Sequence, residues 1–244
     1  SQELQSLLEK EKDVAAVIIE PVLANMGLVL PEKNFLNEVR KITSENDIVL
    51  IFDEVVTGFR MSTGGAQKYY SIKPDITTLG KALGNGFPIA AVGGKSEIMD
   101  MLSPEGKVYQ ASTYAGNPIS VSAGVSSIKT MNKIQSKLYP KLEKNCIKLV
   151  SAINDLAIDM KIQHQINSIS SMFQIFFIDT PVVDYTSAKK ADMIKFKKLF
   201  EVLLKNGVFI APSQFETVFL SYEHSTDDIK KTITAYEKAL KAVK

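Results

Sequence analysis

Apolar, β-branched runs alternate with a helical pattern along the first third of the chain. The runs VAAVIIEP (14 to 21), DIVLIFDEVV (47 to 56) and DITTLGK (75 to 81) predict strands that are buried on both faces. Between the first two runs, PEKNFLNEVRKITSEN (31 to 46) has apolar residues at helical spacing and a proline at its start, which predicts an amphipathic helix. This alternation of strands with a helix predicts a parallel β/α architecture.

After residue 116, longer helical patterns and separate apolar runs replace this alternation. Helical periodicity runs from 117 to 156 and continues past Pro140. Two later segments have an amphipathic helical pattern and two apolar runs predict strands. The helical segments are DMIKFKKLFEVLLKNG (192 to 207) and STDDIKKTITAYEKALKAV (225 to 243), and the strands are SSMFQIFFID (170 to 179) and VFIAPSQFETVFLSY (208 to 222). We therefore expect a first domain over residues 1–132 and a second, α+β domain over residues 133–244.

The composition argues against several classes of function. The 29 Lys and Arg residues nearly balance the 27 Asp and Glu residues, so we expect no nucleic-acid partner and no binding to a charged membrane surface. The single cysteine, Cys146, excludes a disulfide within the chain and fits a reducing compartment, so we expect a cytoplasmic protein. His164 and His224 lack the spacing of a metal site, and we expect structural roles for both and no bound metal. No apolar run reaches the roughly 18 residues of a membrane-spanning helix.

Each predicted strand of the first domain ends in polar or charged side chains, namely Glu20, the pair Asp53 and Glu54, and Lys81. Because ligands bind beyond the carboxyl ends of parallel strands, we expect these groups to share one site. A lysine in a partly desolvated pocket loses its proton more readily and can form a Schiff base with an aldehyde. A carboxylate at a strand end needs a cationic partner, which a protonated pyridine nitrogen could provide for Asp53. The residues alone leave open the alternative that these are ordinary charges at strand ends.

Six segments carry a resemblance to a known family. They resemble the class III pyridoxal-phosphate-dependent aminotransferases of fold type I, and within that family its glutamate-1-semialdehyde 2,1-aminomutase branch. The strand-end Asp53, the later Lys81 and the segment TYAGNP that begins at Thr113 are typical of the family, whereas VYQ, GGAQ and PSQFE are similar to the aminomutase branch. The six segments are IIEPVLANMG, LIFDEVVTGFR, GGAQKYY, PDITTLGKALGNGFPIAAVGG, VYQASTYAGNP and APSQFE. The resemblance implies an α/β fold, in which part of the large, mostly parallel α/β/α domain is followed by a small α+β C-terminal domain.

The resemblance implies cofactor-binding roles for five residues. Lys81 resembles the lysine that carries pyridoxal 5'-phosphate and moves protons between substrate carbons, and Asp53 resembles the partner of the pyridine nitrogen; both would be catalytic. Val55 resembles an aliphatic residue that packs on the cofactor ring, with plain core packing as the alternative. Asn25 resembles a side chain near the 3-hydroxyl group, with a turn residue as the alternative. Thr113 resembles a threonine that reaches the phosphate of the neighbouring subunit's cofactor, which implies a homodimer with shared active sites.

The resemblance also implies a substrate residue and an activity. Glu216 resembles a substrate-side carboxylate of the small domain, with a solvated strand residue as the alternative, and we expect Glu54 to hold backbone or a neighbouring side chain. The implied activity is that of an isomerase, which converts the small molecule glutamate-1-semialdehyde to 5-aminolevulinate in tetrapyrrole (porphyrin) biosynthesis and uses pyridoxamine 5'-phosphate within its cycle. One alternative is an aminotransferase that acts between a separate amino donor and a 2-oxo acid acceptor. A second alternative is an inactive fragment or binding subunit.

The sequence departs from the family pattern in the second domain. SSMFQIFF (170 to 177) lacks the glycines that the family usually has beside Ser-Met-Phe, and FETVF (215 to 219) lacks the usual Ala-Gly after the glutamate. The family's phosphate-binding turn, ring-stacking aromatic residue and substrate arginine have no counterpart in these 244 residues. We expect those parts to precede this sequence in a longer protein.

Overall fold

The computed structural model describes residues 1–244, and their packing divides the chain into two compact units. Unit 1 comprises Ser1–Pro21 and Pro31–Gln135, and unit 2 comprises Val22–Leu30 and Ser136–Lys244. The segment 22 to 30 therefore packs within unit 2, whereas the sequence analysis counted it with the first domain.

Unit 1 is built on a four-stranded sheet with parallel strands at its centre. The first three strands pair in parallel, which confirms the predicted β/α architecture, and the fourth pairs antiparallel with the third. The strands are β1 (Ala16–Ile19), β2 (Val49–Glu54), β3 (Ile76–Leu79) and β4 (Ala91–Gly94). Helix α1 (Gln2–Lys10) precedes the sheet and α4 (Ser96–Met99) follows it, whereas α2 (Phe35–Glu45), α3 (Gly65–Tyr69) and a short 3-10 helix (Lys81–Leu83) connect successive strands.

The two faces of this sheet differ in burial. On β2, Phe52 and Glu54 are fully buried, whereas Ile51 and Asp53 on the opposite face are half-buried. On β1, Ile18 keeps 63% of its surface exposed. The prediction that these strands are buried on both faces is therefore wrong within this unit, because the hydrophobic core that α2 forms with the sheet lies on one face. Asp53 lies on the more open face.

The sequence pattern predicts that helix α2 begins at Pro31, but in the structure the helix begins one turn later, at Phe35. Asn34 has a φ of 71°, a left-handed conformation that asparagine tolerates better than most residues, so the chain turns there before the helix begins at Phe35. The apolar periodicity itself is confirmed, since Leu36 and Val39 are buried against the sheet.

Helix α5 (Pro118–Asp159) runs without interruption for 42 residues and contains Pro140. The prediction of a helix that continues past this proline is confirmed. Its first turn is capped by Asn117, whose Oδ1 accepts hydrogen bonds of 3.1 Å from the N–H groups of Ile119 and Ser120. Neither α5 nor any other helix combines the length and apolarity needed to cross a bilayer.

Unit 2 combines an antiparallel sheet with packed helices, as an α+β domain should. Every residue of its central strand is buried, and the hydrophobic core includes the fully buried Phe173, Leu199 and Tyr236. The strands are β5 (Gln165–Ile169), β6 (Met172–Phe176) and β7 (Val218–Phe219), in that order, and the helices besides α5 are α6 (Tyr185–Ala188), α7 (Met193–Lys205) and α8 (Thr226–Val243).

The predicted strand over 208 to 222 is wrong for most of its length. Only Val218–Phe219 pairs with β6, and the residues before it form a loop. Pro212 has no N–H to donate to a strand ladder, and the N–H of Glu216 instead bonds to the carbonyl of Ser213 at 3.1 Å within a turn. The PSQFE motif therefore lies on a loop.

Candidate active site

Asp53 lies at the end of β2, on the open face of the sheet, with its carboxylate held from one side. Its Oδ1 accepts hydrogen bonds from the Val55 N–H (3.0 Å) and from the Thr78 hydroxyl (3.1 Å), and its Oδ2 has no partner within the chain. Thr78 is the register partner of Asp53 across the β2–β3 pair. No motif in the sequence marks Thr78, because only the strand register brings it beside the carboxylate.

Lys81 follows β3 after Gly80 and opens the short 3-10 helix. It has a φ of 43°, in the left-handed region that residues with a side chain rarely occupy, a conformation that often marks functional sites. The side chain is exposed, and its amine makes neither a hydrogen bond nor an ion pair within the chain. These residues leave the Lys81 side chain exposed, so they do not by themselves provide the partly desolvated pocket that favours Schiff-base formation. The amine is free to react with a ligand.

Val55 lies just beyond β2 and is half-buried. A Cβ atom placed on Gly80 would lie 3.4 Å from Cγ1 of Val55, so the chain before Lys81 runs close to this side chain. Val55 therefore brings the end of β2, which carries Asp53, into contact with the backbone just before Lys81. Whether it packs on a ring or only on the backbone of Gly80 stays a prediction.

Glu54, next to Asp53, points to the opposite face and is completely buried. Its carboxylate accepts hydrogen bonds from the N–H groups of Ala66 and Gln67, from the Gln67 side chain (3.0 Å) and from the Thr57 hydroxyl (3.0 Å). Gly65, with a φ of 65°, has no room for a Cβ atom because the Glu54 carboxylate occupies that space. The GGAQ motif thus has a structural explanation: it wraps the start of α3 around Glu54.

Asp75, immediately before β3, forms a second charged cluster that sequence reasoning missed. Its Oδ2 accepts hydrogen bonds from Arg40 (2.8 Å) and from the N–H of Leu50 (2.7 Å), and its Oδ1 lies 2.8 Å from the Lys95 amine. Burial opposes ionisation of this carboxyl group, but Lys95, the Leu50 N–H and Arg40 outweigh it and lower the pKa of Asp75 to about 2. The cluster joins α2, β2 and the end of β4 at the amino edge of the parallel strands, the edge opposite Lys81.

Thr113 lies on an irregular segment between β4 and α5. All residues from 107 to 116 are exposed, among them Tyr109 (83%) and Tyr114 (67%). Within unit 1 this segment makes no enclosed site around Thr113.

The other two predicted site residues, Asn25 and Glu216, both belong to unit 2 and are both exposed. Asn25 lies at the tip of a loop closed by a two-way backbone bridge between Leu23 and Val29. Unit 1 thus brings together Asp53, Val55 and Lys81, and unit 2 carries Asn25 and Glu216 on two loops of its own.

Neither histidine lies at these positions, and each has a local structural partner. His164 bonds through Nδ1 to the Ile162 carbonyl (2.9 Å) and through Nε2 to the Asn154 side chain (3.2 Å). Nδ1 of His224 accepts a hydrogen bond of 3.0 Å from the Ser221 N–H, just before the Ser225 cap of α8. The structure contains no group of three or more His, Cys, Asp and Glu residues suited to hold a metal ion.

The sequence matches the family "Aminotransferase class-III" over residues 1–240. The glutamate-1-semialdehyde 2,1-aminomutase of Nitrosopumilus maritimus (strain SCM1) is 64% identical to it over 243 residues, which are 100% of this chain and 57% of that protein. The chain therefore spans about half the length of the curated relatives it matches.

Solved structures have the same fold. An omega-transaminase from Sphaerobacter thermophilus matches with a TM-score of 0.89 at 28% identity, over 99% of this chain and 55% of that one. A variant glutamate-1-semialdehyde aminomutase from Pseudomonas aeruginosa PAO1 in complex with PMP matches in fold, with a TM-score of 0.85 at 21% identity, over 100% of this chain and 55% of that one. The predicted fold class, that of the pyridoxal-phosphate-dependent transferases, is confirmed. On the match over residues 1–240, the chain belongs to the class-III aminotransferase family.

Proposed function

We propose that the whole protein is a pyridoxal-phosphate-dependent glutamate-1-semialdehyde 2,1-aminomutase, an isomerase of tetrapyrrole biosynthesis. The observation that carries the proposal is the 64% identity to the Nitrosopumilus maritimus aminomutase along the entire chain. The arrangement of Asp53 and Lys81 also supports pyridoxal-phosphate chemistry, and this support does not depend on what the relative is called.

The free groups of unit 1 fit pyridoxal phosphate. Asp53 keeps Oδ2 unbonded while Thr78 and the Val55 N–H fix Oδ1, so the carboxylate has an oriented acceptor for a ring N–H. Lys81 has an amine with no partner in the chain. When bound, the cofactor supplies an electron-withdrawing ring that stabilises negative charge on a substrate carbon.

Asp53 would act by keeping a proton on the pyridine nitrogen. A carboxylate close to a pyridinium favours the charged form of that ring, and the two hydrogen bonds to Oδ1 prevent the side chain from rotating away. Val55 would pack on the ring from the same strand end.

Lys81 would bind the cofactor covalently through Nζ and, once released from it, carry protons between the substrate carbons at the two ends of the amino transfer. Its position directly after β3 places it on backbone that is fixed by strand pairing on one side and by the 3-10 helix on the other. A base that moves a proton over a short distance needs such a rigid support. On unit 2, Asn25 would lie near the 3-hydroxyl group, and Glu216 would contribute a carboxylate on the substrate side.

A homodimer with shared active sites is part of the proposal. Thr113 lies on a segment whose apolar and aromatic side chains are largely exposed, including Val108 (49%), Tyr109 and Tyr114. A second copy of the chain would cover this surface and would receive Thr113 at its cofactor phosphate. We also propose a cytoplasmic location, because its reducing conditions fit the single free Cys146.

An aminotransferase that acts between separate molecules is the second candidate. It is favoured by the family match and by the 28% identity to the Sphaerobacter thermophilus omega-transaminase. The two activities share each half-reaction, so neither Asp53 nor Lys81 distinguishes them.

One assay separates the two activities. The whole protein, loaded with pyridoxamine phosphate, should convert glutamate-1-semialdehyde to 5-aminolevulinate with no added amino donor or 2-oxo acid. A strict requirement for both additions would establish the aminotransferase instead. No turnover in either assay, in a folded protein that has bound the cofactor, would favour an inactive subunit.

A further inference from the structure

Asn167 on β5 and Gln174 on β6 lie directly opposite each other in the antiparallel pair. Directly opposed residues on adjacent strands project their side chains to the same face of the sheet. Both side chains end in an amide, and Gln174 is completely buried. A polar amide at such a position must hydrogen-bond within the protein or destabilise the sheet.

Gln174 uses both of its N–H donors to hold one loop. Its Nε2 donates to the carbonyl oxygens of Gln214 (2.7 Å) and Glu216 (2.6 Å). Its Oε1 is buried and has no partner, so the side chain acts as a donor only. These two bonds fix the backbone on both sides of Phe215, in the loop that presents Glu216.

Asn167 does the same for a second loop. Its Nδ2 donates to the carbonyl oxygens of Leu28 and Val182, both at 2.8 Å. Leu28 belongs to the segment 22 to 30, whose tip is Asn25. The loop that carries Asn25 is therefore anchored to β5 by a single side-chain amide.

The two loops are also bonded to each other. The Thr217 hydroxyl donates to the carbonyl of Ala24 at 2.8 Å, and the N–H of Gly27 donates to the carbonyl of Phe215 at 2.6 Å. Gly27 has a φ of 78°, and a Cβ atom there would collide with the ring of Phe176. Movement of one loop would therefore be transmitted directly to the other.

We propose that the half-buried Asn167 and the buried Gln174 form an amide pair that positions the two loops of unit 2 carrying Asn25 and Glu216 as one rigid group. The pair acts through Asn25 and Glu216 and does not itself touch substrate. This role deepens the proposed function, because the loops matter for catalysis only if Asn25 and Glu216 face the cofactor and substrate.

The chemistry of the pair explains why amides are required. A carbonyl oxygen buried without a donor is destabilising, and each amide N–H₂ group satisfies two carbonyls from one side chain. An apolar residue would fill the same volume but leave these carbonyls unpaired. Gln174 also follows Ser-Met-Phe in SSMFQIFF, where the family pattern usually has a glycine, which has no side-chain donor.

Hydrogen–deuterium exchange on the whole protein tests the pair without any activity measurement. Gln174→Met keeps the length and apolar volume of the side chain but removes both donors. We expect the amides of Gly27 and Glu216 to exchange roughly tenfold faster than in the unsubstituted protein, while amides of α8 are unchanged. Asn167→Leu should give the same local pattern, with the larger effect in 22 to 30.

The matched control is Gln165→Met, the same substitution as Gln174→Met but at a glutamine of β5. Its Nε2 bonds to the carbonyl of Asp179 at 3.2 Å on the surface and touches neither loop. We expect no change at Gly27 or Glu216. If Gln174→Met does not fold, Asn167→Leu alone decides, since Asn167 is only half-buried. Unchanged exchange in both loops, or an increase spread evenly over unit 2, would overturn the inference.

Kinetics of the same variants then connect the pair to catalysis. If the proposed function is correct, Gln174→Met should raise KM for glutamate-1-semialdehyde about tenfold and change kcat much less, because substrate contacts loosen while Lys81 is untouched. If the unsubstituted protein lacks aminomutase activity but the loops still exchange faster in the variants, the proposed function fails and the positioning role stands. If the unsubstituted protein is active and the variants change neither the exchange rates nor KM, the positioning role is wrong and the proposed function stands.

Discussion

The hydroxyl of Thr78 on β3 donates a hydrogen bond of 3.1 Å to Oδ1 of Asp53 on β2. The two residues are register partners in a parallel pair, so the strand pairing itself sets this contact. Together with the Val55 N–H, it orients the carboxylate and leaves Oδ2 available.

Asp53→Asn should preserve the fold, because both hydrogen bonds to Oδ1 can still be accepted by the amide oxygen. It should lower kcat by about three to four orders of magnitude, the scale seen when a charged orienting partner is neutralised elsewhere. Steady-state assays of the whole protein measure this. Thr78→Val, which removes only the orienting hydroxyl, should have a much smaller effect; near-normal turnover of Asp53→Asn would refute the role.

Glu54→Ala should destabilise the protein rather than alter its chemistry. It leaves the N–H groups of Ala66 and Gln67 and the hydroxyl of Thr57 without an acceptor in a buried site, at a cost of about 2–4 kcal/mol. Chemical denaturation gives the free energy of unfolding. The control is Glu45→Ala, which removes an exposed pair with Lys41 and should change that free energy by less than about 0.5 kcal/mol. Equal effects would contradict the account.

Asp75 should make stability depend on pH in the acid range. Its pKa in the folded chain is about 2 against an ordinary value of 3.8, so the folded state binds its proton less readily than the unfolded state. The stabilisation is complete above about pH 4 and is lost as the pH falls through about 2. Because Lys95 is half exposed, the effect is on the order of 1 kcal/mol after solvent screening.

Acid titration of the free energy of unfolding checks this, with Asp75→Asn as the variant. The difference between the two proteins should shrink as the pH is lowered from 4 towards 2. A constant difference over that range would show that the charge of Asp75 contributes nothing.

Shared active sites can be tested by mixing two inactive subunits. A hybrid of a Lys81→Ala subunit with a Thr113→Val subunit contains one site with both side chains intact and one site with neither. Random subunit exchange should therefore recover about a quarter of the activity of the unsubstituted protein. A mixture that stays inactive after exchange, or a whole protein that is monomeric in solution, would rule out the shared site.

Much of unit 1 could be predicted because its strands are continuous apolar runs that end in charged residues. The parallel order and the positions of Asp53 and Lys81 follow from that pattern. The burial of the strands does not follow from it. An isoleucine such as Ile18 or Ile51 gives the same apolar signal in the sequence whether or not a second layer covers its face of the sheet. The sequence could not identify Thr78, because only the strand register places it beside Asp53. It could not identify Asp75 either, because Arg40 and Leu50 are distant from Asp75 in sequence.

Unit 2 was harder to predict for a different reason. β5, with the sequence QINSI, is partly polar and lacks an apolar run, and the apolar stretch around PSQFE forms a loop because Pro212 and a turn interrupt it. The buried amide of Gln174 could not be recognised as structural, since only the fold shows which carbonyls it satisfies. Polar residues that serve the backbone of distant loops leave no periodic signal.

Covalent binding of the cofactor to Lys81 is the central claim and can be measured directly. The whole protein should be incubated with pyridoxal phosphate, reduced with borohydride, digested and analysed by peptide mass spectrometry. We predict that the reduced cofactor is found on the peptide containing Lys81 and that Lys81→Ala, which removes an exposed side chain and little packing, folds normally but carries no label. Label on a different lysine, or undiminished covalent labelling of Lys81→Ala, would contradict the assignment.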